Sequence, residues 1–299
     1  MGDVSLDELR TLLDRHARPD PTTAIDGVLI GRATRAYESS TSMSGTVLAL
    51  IAQGAKTLAL GDRVYEYRAG QYLVASVDLP VTGHYTEAPA LGFGLVLDPA
   101  EIAEVLLQAP PGSLPPTANP PSAIAVSDAP AEVIDAAVRM LRLLETPRDL
   151  PVVAPLIRRE ILWRLVTGEQ GATVRHLGLA DSSLAHVARA VQWIRGNYRE
   201  SFRVEDVARR AGMSASAFYR HFQAVTAMSP IQFQKQIRLQ EARLMLATRP
   251  HDVTGVGHRV GYDSPSQFSR EYRRQFGEPP SRDAARLRAE AQLLALAVP

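Results

Sequence analysis

The sequence predicts a two-domain α+β chain: a β-rich N-terminal half with a helical tail, then an all-α half built on a repeated helix-turn-helix. Three observations carry this. Short apolar runs punctuated by Gly and Asp fill residues 46–98. Helical periodicity takes over after a proline-rich stretch. The C-terminal third contains one pattern twice.

A length of 299 residues allows about two domains, and 45% hydrophobic content suffices for folded cores. The chain has no cysteine. That excludes a disulfide framework, a thiolate zinc site, an iron–sulfur cluster and a cysteine nucleophile, and it fits a reducing cytosol. No apolar run approaches the roughly 20 residues of a membrane helix. The N-terminus, Met1 to Glu8, is acidic and has no apolar signal core. A soluble cytoplasmic protein without a membrane partner is expected. The formal net charge of +1 conceals a division. Residues 1–185 hold 15 Lys+Arg against 22 Asp+Glu, whereas residues 186–299 hold 18 against 10, of which 17 are Arg. The basic half therefore suits a polyanion, and Arg suits bidentate contacts to phosphate and guanine.

In chain order, Thr46–Ala52 is an apolar run ending at the turn signal Gln53-Gly54, and Lys56–Leu60 precedes Gly61-Asp62. Arg63–Tyr67 alternates, Tyr72–Val77 follows, and Leu91–Leu97 closes the series before Asp98-Pro99. Strands at this spacing predict a small antiparallel barrel or sandwich. Residues 109–122 contain six prolines, which preclude a helix or inner strand and predict an extended connector. Two helices then follow. One carries Val133, Ala137, Met140, Leu141 and Leu144; the other, about Val153–Thr167, carries Leu156, Ile157, Ile161, Leu162 and Leu165. A third, capped by Ser182 or Ser183, carries Leu184, Val187, Ala188, Val191 and Ile194.

The basic half repeats itself. Val204–Phe222, running on to Pro230, matches Val253–Tyr272, running on to Pro280. Val207 matches Val256, Gly212 matches Gly261, Phe218 matches Phe268 and Arg220 matches Arg270, with one extra residue in the second turn. Each copy is a short helix, a turn with Gly, and a second helix: the helix-turn-helix pattern, over about 203–225 and 252–276. Ser214 and Ser264 are placed to cap the second helices, with Pro265 at a first helical position. Phe218/Phe222 and Phe268/Tyr272 are i, i+4 pairs expected to face the core. Residues Ile231–Ala247, with Phe233, Ile237 and Leu244 on one face, form a rod of roughly 25 Å at about 1.5 Å per residue. Such a spacer can set two helices into major-groove segments about 34 Å apart.

Outward-facing side chains on the second helix of each copy are Ser216, Tyr219, Arg220 and Gln223, and Ser266, Gln267, Arg270 and Arg274. These are the candidate DNA-binding residues, with double-stranded DNA as the partner. Arg220 and Arg270 can clasp guanine bidentately, and Gln267 suits adenine. Phosphate contacts are expected from Arg209, Arg238, Arg273 and Arg282.

On Val260-Gly-Tyr-Asp-Ser-Pro-Ser-Gln-Phe-Ser-Arg270 and Phe276-Gly-Glu-Pro-Pro-Ser-Arg282, the sequence resembles the AraC/XylS family of bacterial transcription regulators. The resemblance covers about residues 185–288 and implies a DNA-binding domain of two helix-turn-helix units joined by a linker helix. It also implies that Ser216, Tyr219, Arg220, Ser266, Gln267 and Arg270 contact bases. The chain departs from the family at Gly257, where Ala is usual, and at Asp283-Ala-Ala-Arg286, where Tyr-Arg is usual. The N-terminal half is similar to the cupin-like domain of one AraC subgroup. The similarity rests on Leu50–Lys56, Gly61–Tyr67, Gly70–Pro80 and Arg158–Leu165. This implies a regulatory domain over 1–112, a connector over 113–130, a helical cover or dimerisation segment over 131–180, and the DNA-binding domain over 181–299.

No catalytic residue, metal site or cofactor is expected. His84 is the lone histidine of the β region, whereas metal-binding cupins need several. Tyr65, Tyr67, Tyr72 and His84 are candidate pocket residues, the tyrosines reading more readily as barrel wall. The expected function is a DNA-binding transcription regulator whose N-terminal domain senses a small-molecule effector, forms a homodimer, or both, with RNA polymerase as a further partner. The alternatives are a dimeric regulator without an effector and a cupin enzyme fused to a DNA-binding module.

Overall fold

A computed structural model describes residues 2–36, 40–61, 63–115, 123–179, 182–248 and 253–296. The chain divides into two compact units, residues 1–189 with 220–227, and residues 190–219 with 228–299.

The first unit opens with helix α1 (Gly2–His16), which buries Leu9, Leu12 and Leu13 at i, i+3, i+4. Seven strands follow: β1 (Val28–Ala33), β2 (Ser40–Met43), β3 (Val47–Leu60), β4 (Arg63–Arg68), β5 (Gln71–Ala75), β6 (Pro80–Val96) and β7 (Ile124–Asp128). All pair antiparallel in the order β1-β6-β3-β5-β7, with β2 also on β6 and β4 also on β3.

The expected turn at Gln53-Gly54 is not a turn. β3 runs through it, and the register against β6 shifts between Ile51 and Lys56. Gly54 takes φ +79°, and a Cβ there would lie 2.6 Å from the Glu87 carbonyl. The glycine absorbs an extra residue as a bulge, which kinks the strand without reversing it. β6 likewise extends the expected Leu91–Leu97 strand back to Pro80. Within it Gly92-Phe93-Gly94 packs closely against β1 and β3: a Cβ on Gly94 would lie 3.0 Å from Leu29 Cβ.

The segment read as a connector over 113–130 is not connector throughout. Residues 116–122 lie outside the described residues, but Ile124–Asp128 is β7, paired with β5 from Gln71↔Asp128 to Ala75↔Ile124. This proline-free run supplies β5 with its second neighbour, so Tyr72, Leu73, Val74 and Ala75 are all buried.

Helices α2 (Pro99–Leu107), α3 (Ala131–Arg142), α4 (Leu150–Thr167) and α5 (Gly171–Gly178) complete this part. Asp98 caps α2, its carboxylate accepting from Ala100 N–H at 2.8 Å, with Pro99 at the first position. α3 packs on α1, and ion pairs join Glu8 to Arg142 and Arg15 to Glu145. On α4 the buried stripe is Ala154, Ile157, Ile161, Leu162 and Leu165; Leu156 lies about 100° around the helix and is 63% exposed, against expectation.

Seven more helices follow: α6 (Ser183–Gly196), α7 (Val204–Arg210), α8 (Ala215–Thr226), α9 (Pro230–Thr248), α10 (Val253–Arg259), α11 (Pro265–Phe276) and α12 (Pro280–Leu296). The core of the second unit gathers Leu239, Ala242 and Leu246 of α9, Val256 of α10, Val260 of the turn after it, and Phe268 and Tyr272 of α11, with Ala284 of α12. Leu244, expected on the apolar face of α9, is exposed, because it sits opposite Ala242 and Leu246.

Candidate nucleic-acid interface

The two copies of the repeat close their turns with the same backbone hydrogen bonds. In the first, Gly212 N–H donates to the Arg209 carbonyl and Met213 N–H to the Ala208 carbonyl. In the second, Gly261 N–H donates to His258 and Tyr262 N–H to Gly257. Gly212 and Gly261 take φ of +76° and +92°, the left-handed region that ends a helix. The next helix starts alike in both. Ser214 Oγ accepts from Ala217 N–H and Ser264 Oγ from Gln267 N–H, each at 3.3 Å. Phe218, Phe222, Phe268 and Tyr272 are all fully buried.

That anchoring turns the remaining positions outward. Ser216, Tyr219, Arg220 and Gln223 on α8 are exposed, as are Ser266, Gln267, Arg270 and Arg274 on α11. Among the described residues, the guanidinium groups of Arg220, Arg270, Arg273 and Arg274 make no hydrogen bond or ion pair. Long cations held this way have reach and no competing partner, as base-edge or phosphate contacts require.

Two of the other basic residues are engaged. Arg209 pairs with Asp206 at 3.1 Å but remains largely exposed. Arg238, expected at phosphate, is instead a clamp. Its guanidinium donates to the carbonyls of Tyr198 (2.6 Å), Gly261 (2.7 Å), Arg199 (3.1 Å) and Glu200 (3.2 Å) and lies over the Tyr262 ring. Burial pushes its pKa down. Arg282 is exposed.

Two acidic residues outside the candidate DNA-binding set hold α11 in place. Glu271 accepts from Lys235 Nζ at 2.8 Å, Tyr262 Oη at 2.8 Å and Gln267 Nε2 at 3.2 Å. Burial alone would raise its pKa; the hydrogen bonds from Lys235, Tyr262 and Gln267 hold it below the usual range. Asp283, fully buried, accepts from Arg243 Nε (2.9 Å), Tyr272 Oη (2.8 Å) and Arg286 Nη2 (2.5 Å), joining α9, α11 and α12. Burial raises its pKa too, and the Arg243, Tyr272 and Arg286 contacts outweigh that and lower it. The sequence signal for Glu271 was an isolated acid among arginines, and for Asp283 the departure from the family pattern that it opens. Gly257 is explained as well: a Cβ there would lie 3.0 Å from Phe268 Cδ1, so the buried ring takes the space of the family's usual alanine.

In the sheet, the structure separates the candidate pocket residues. Lys56 stands opposite Tyr67 and Tyr85, and Leu58 opposite Tyr65, so Tyr65, Tyr67 and Tyr85 share a face with Lys56. His84 stands opposite Thr57 and so belongs to the other face. Lys56 Nζ lies 5.2 Å from the Tyr85 ring centre, and burial lowers its pKa. Tyr72 is a buried wall residue. Burial, then the Glu169 charge, push its phenol up to about 12, opposed by hydrogen bonds with Ser127 and the Gln170 backbone. Among the described residues no group of three His, Cys, Asp or Glu is placed to hold a metal ion.

Comparison with known proteins gives these units a family. Residues 24–173 match the model of the AraC-type transcriptional regulator N-terminus, half of the chain, and residues 207–286 match a helix-turn-helix domain. The chain belongs to the AraC-type transcriptional regulators. One relative is the HTH-type transcriptional regulator ExsA of Pseudomonas aeruginosa, 24% identical over 75% of this chain and 77% of ExsA. Another is the virulence regulon transcriptional activator VirF of Yersinia enterocolitica, 29% identical over 44% of this chain and 49% of VirF; this match spans about half the length of that protein. In fold, the AraC-type chain is similar to apo ToxT of Vibrio cholerae, with a TM-score of 0.56 over 90% of this chain and 99% of that one at 10% identity. It is also similar to an unsaturated fatty acid-bound ToxT, with a TM-score of 0.52 over 90% of this chain and 97% of that one at 8% identity. Among the described residues, no helix of this AraC-type regulator is long and apolar enough to cross a membrane.

Proposed function

We propose that this regulator reads a specific DNA duplex with α8 and α11, through Arg220 and Arg270 at guanine, Gln267 at adenine, and Ser216, Tyr219, Gln223, Ser266 and Arg274 beside them. The observation that carries the reading is the duplicated geometry: the same backbone turn, the same serine cap and the same buried aromatic pair, each leaving an exposed arginine at the matching position. Arg209, Arg273 and Arg282 supply phosphate contacts; Arg238 does not.

The N-terminal domain modulates DNA binding by sensing a small molecule, by forming a homodimer, or by both, and contact with RNA polymerase passes the signal on. A neighbour of the same fold holds a fatty acid, which supports small-molecule sensing. The protein acts in the cytoplasm and is not an enzyme; its relatives are named as regulators.

The test is a gel-shift titration of the whole chain against salt. Neutralised phosphates release counterions, so log K falls linearly with log salt by about 0.9 per phosphate contact. A steep fall supports the reading, and an affinity indifferent to salt contradicts it.

A further inference from the structure

We propose that the cleft between α2 and α4 binds a small hydrophobic amine, its apolar body against Ile25, Val105, Leu150, Ala154 and Leu162 and its ammonium group donating to Glu101. The cleft encloses about 550 Å³. That falls within the roughly 300–1,000 Å³ of small-molecule sites, which likewise pair apolar walls with a few convergent polar groups.

The polar groups select the charge. Two arginines and three carboxylates border the cleft: Arg158 and Arg159, with Asp26, Glu101 and Glu104. The arginines are occupied. Arg158 donates to the Asp26 and Val96 carbonyls, which pins α4 against the one end of the pair where β1 begins and β6 finishes, and only 14% of its side chain is exposed. Arg159 donates to Gln108 Oε1. The carboxylates are not satisfied to the same degree. The Glu101 side chain is 41% exposed, yet its Oε2 is buried, meets its ion-pair partner Arg158 Nη1 only at 3.8 Å, and accepts no hydrogen bond from the protein. Buried acceptors are rarely left so. Glu104, one helical turn further along α2, is exposed and makes no ion pair among the described residues. Burial raises the Glu101 pKa even beside Arg158, the direction a bound cation would reverse. An anionic ligand would meet three carboxylates and two committed guanidinium groups. An amine meets a carboxylate whose one cationic neighbour, Arg158, stands 3.8 Å away and donates its hydrogen bonds to carbonyls.

The inference extends the reading that the N-terminal domain senses a small molecule, and its test is read separately from DNA binding. Isothermal titration of the full chain uses three probes on one body: 4-phenylbutylamine, 4-phenylbutan-1-ol and 4-phenylbutanoate. The amine is expected to bind about tenfold or more tighter than the alcohol, the margin of a charge-assisted hydrogen bond, and the carboxylate weakest. Glu101→Gln should abolish the preference for amine over alcohol while leaving alcohol affinity unchanged. Ala154→Leu, which narrows the cleft, should weaken all three probes. Should Glu101→Gln fold poorly, the exposed Glu104→Gln carries the test, with a smaller loss of amine preference. Tightest binding by the carboxylate, no binding by any probe, or an amine preference that survives both glutamate variants would each overturn the proposal. Amine binding that leaves DNA affinity unchanged supports the site and sinks its role as effector sensor. Amine binding by a chain that fails to bind any duplex supports the site and counts against the regulator reading alone.

Discussion

Removal of the Asp283 carboxylate should melt the second helix-turn-helix. Asp283 is fully buried and gathers Arg243 of α9, Tyr272 of α11 and Arg286 of its own helix. Asp283→Ala strands two cations and a buried phenol. Breaking a buried pair by deleting one partner costs about 3–5 kcal/mol. The lower end applies here, because the Arg286 side chain is 32% exposed and can turn to solvent, whereas Arg243 is 16% exposed and cannot. A loss of about 3 kcal/mol in a small domain lowers Tm by about 12–24 °C. Thermal melting by circular dichroism at pH 7 reads this, and Asp283→Asn, which keeps the shape, should lose less. The pH dependence follows from sign. The folded carboxyl is held below its ordinary value of 3.8, so its contribution is full above that value and is lost as pH falls through the lowered one. Wild type should therefore lose more stability than Asp283→Asn on acidification from pH 5 to pH 2. A Tm drop of less than about 4 °C for Asp283→Ala would refute the hub argument.

Other outcomes follow from named contacts. Arg270→Ala should weaken operator binding about 10- to 100-fold and relax one base position, and Arg220→Ala should do the same in the other half-site, since a bidentate contact discriminates by about 1–3 kcal/mol; binding isotherms on single-base variants check it. Arg238→Met should lower Tm yet leave the slope of log K against log salt unchanged, because its guanidinium caps carbonyls; a slope reduced by about 0.9 would return it to the phosphate contacts. Gly257→Val should destabilise by about 1–3 kcal/mol in urea unfolding, since its side chain enters the space of the Phe268 ring. Tyr72→Phe should cost about 1–2 kcal/mol by leaving the Ser127 and Gln170 groups without the phenol oxygen.

The basic half was legible because its signals are local. Glycine at 212 and 261, serine at 214 and 264, and aromatic pairs four residues apart each act within one helical turn, and the structure uses them all. The outward positions of Arg220 on α8 and Arg270 on α11 followed from the same periodicity. What escaped was decided by distant partners. Nothing in the residues around Arg238 says that four carbonyls will surround it; that depends on the turn at Gly261 and the end of α6 meeting α9. Ile124–Asp128 was hidden by the prolines before it, and only the unfilled edge of β5 makes it a strand. Gly54 carries the residue type of a turn, yet pairing on both sides of it keeps β3 continuous. Of the pocket candidates, His84 parts from Tyr65 and Tyr67, because alternation along β3 puts its partner Thr57 on the opposite face from Lys56 and Leu58. The α2–α4 cleft was invisible because α2 itself was not anticipated.

The central claim is that two equivalent helices read two half-sites. Selection of bound sequences from random duplex DNA, run in parallel with wild type, Arg220→Ala and Arg270→Ala, tests it most directly. The account predicts a bipartite motif with about 10 base pairs between half-site centres, one half relaxed in each variant and the other intact. A motif that neither substitution alters, or enrichment of no motif at all, would contradict it.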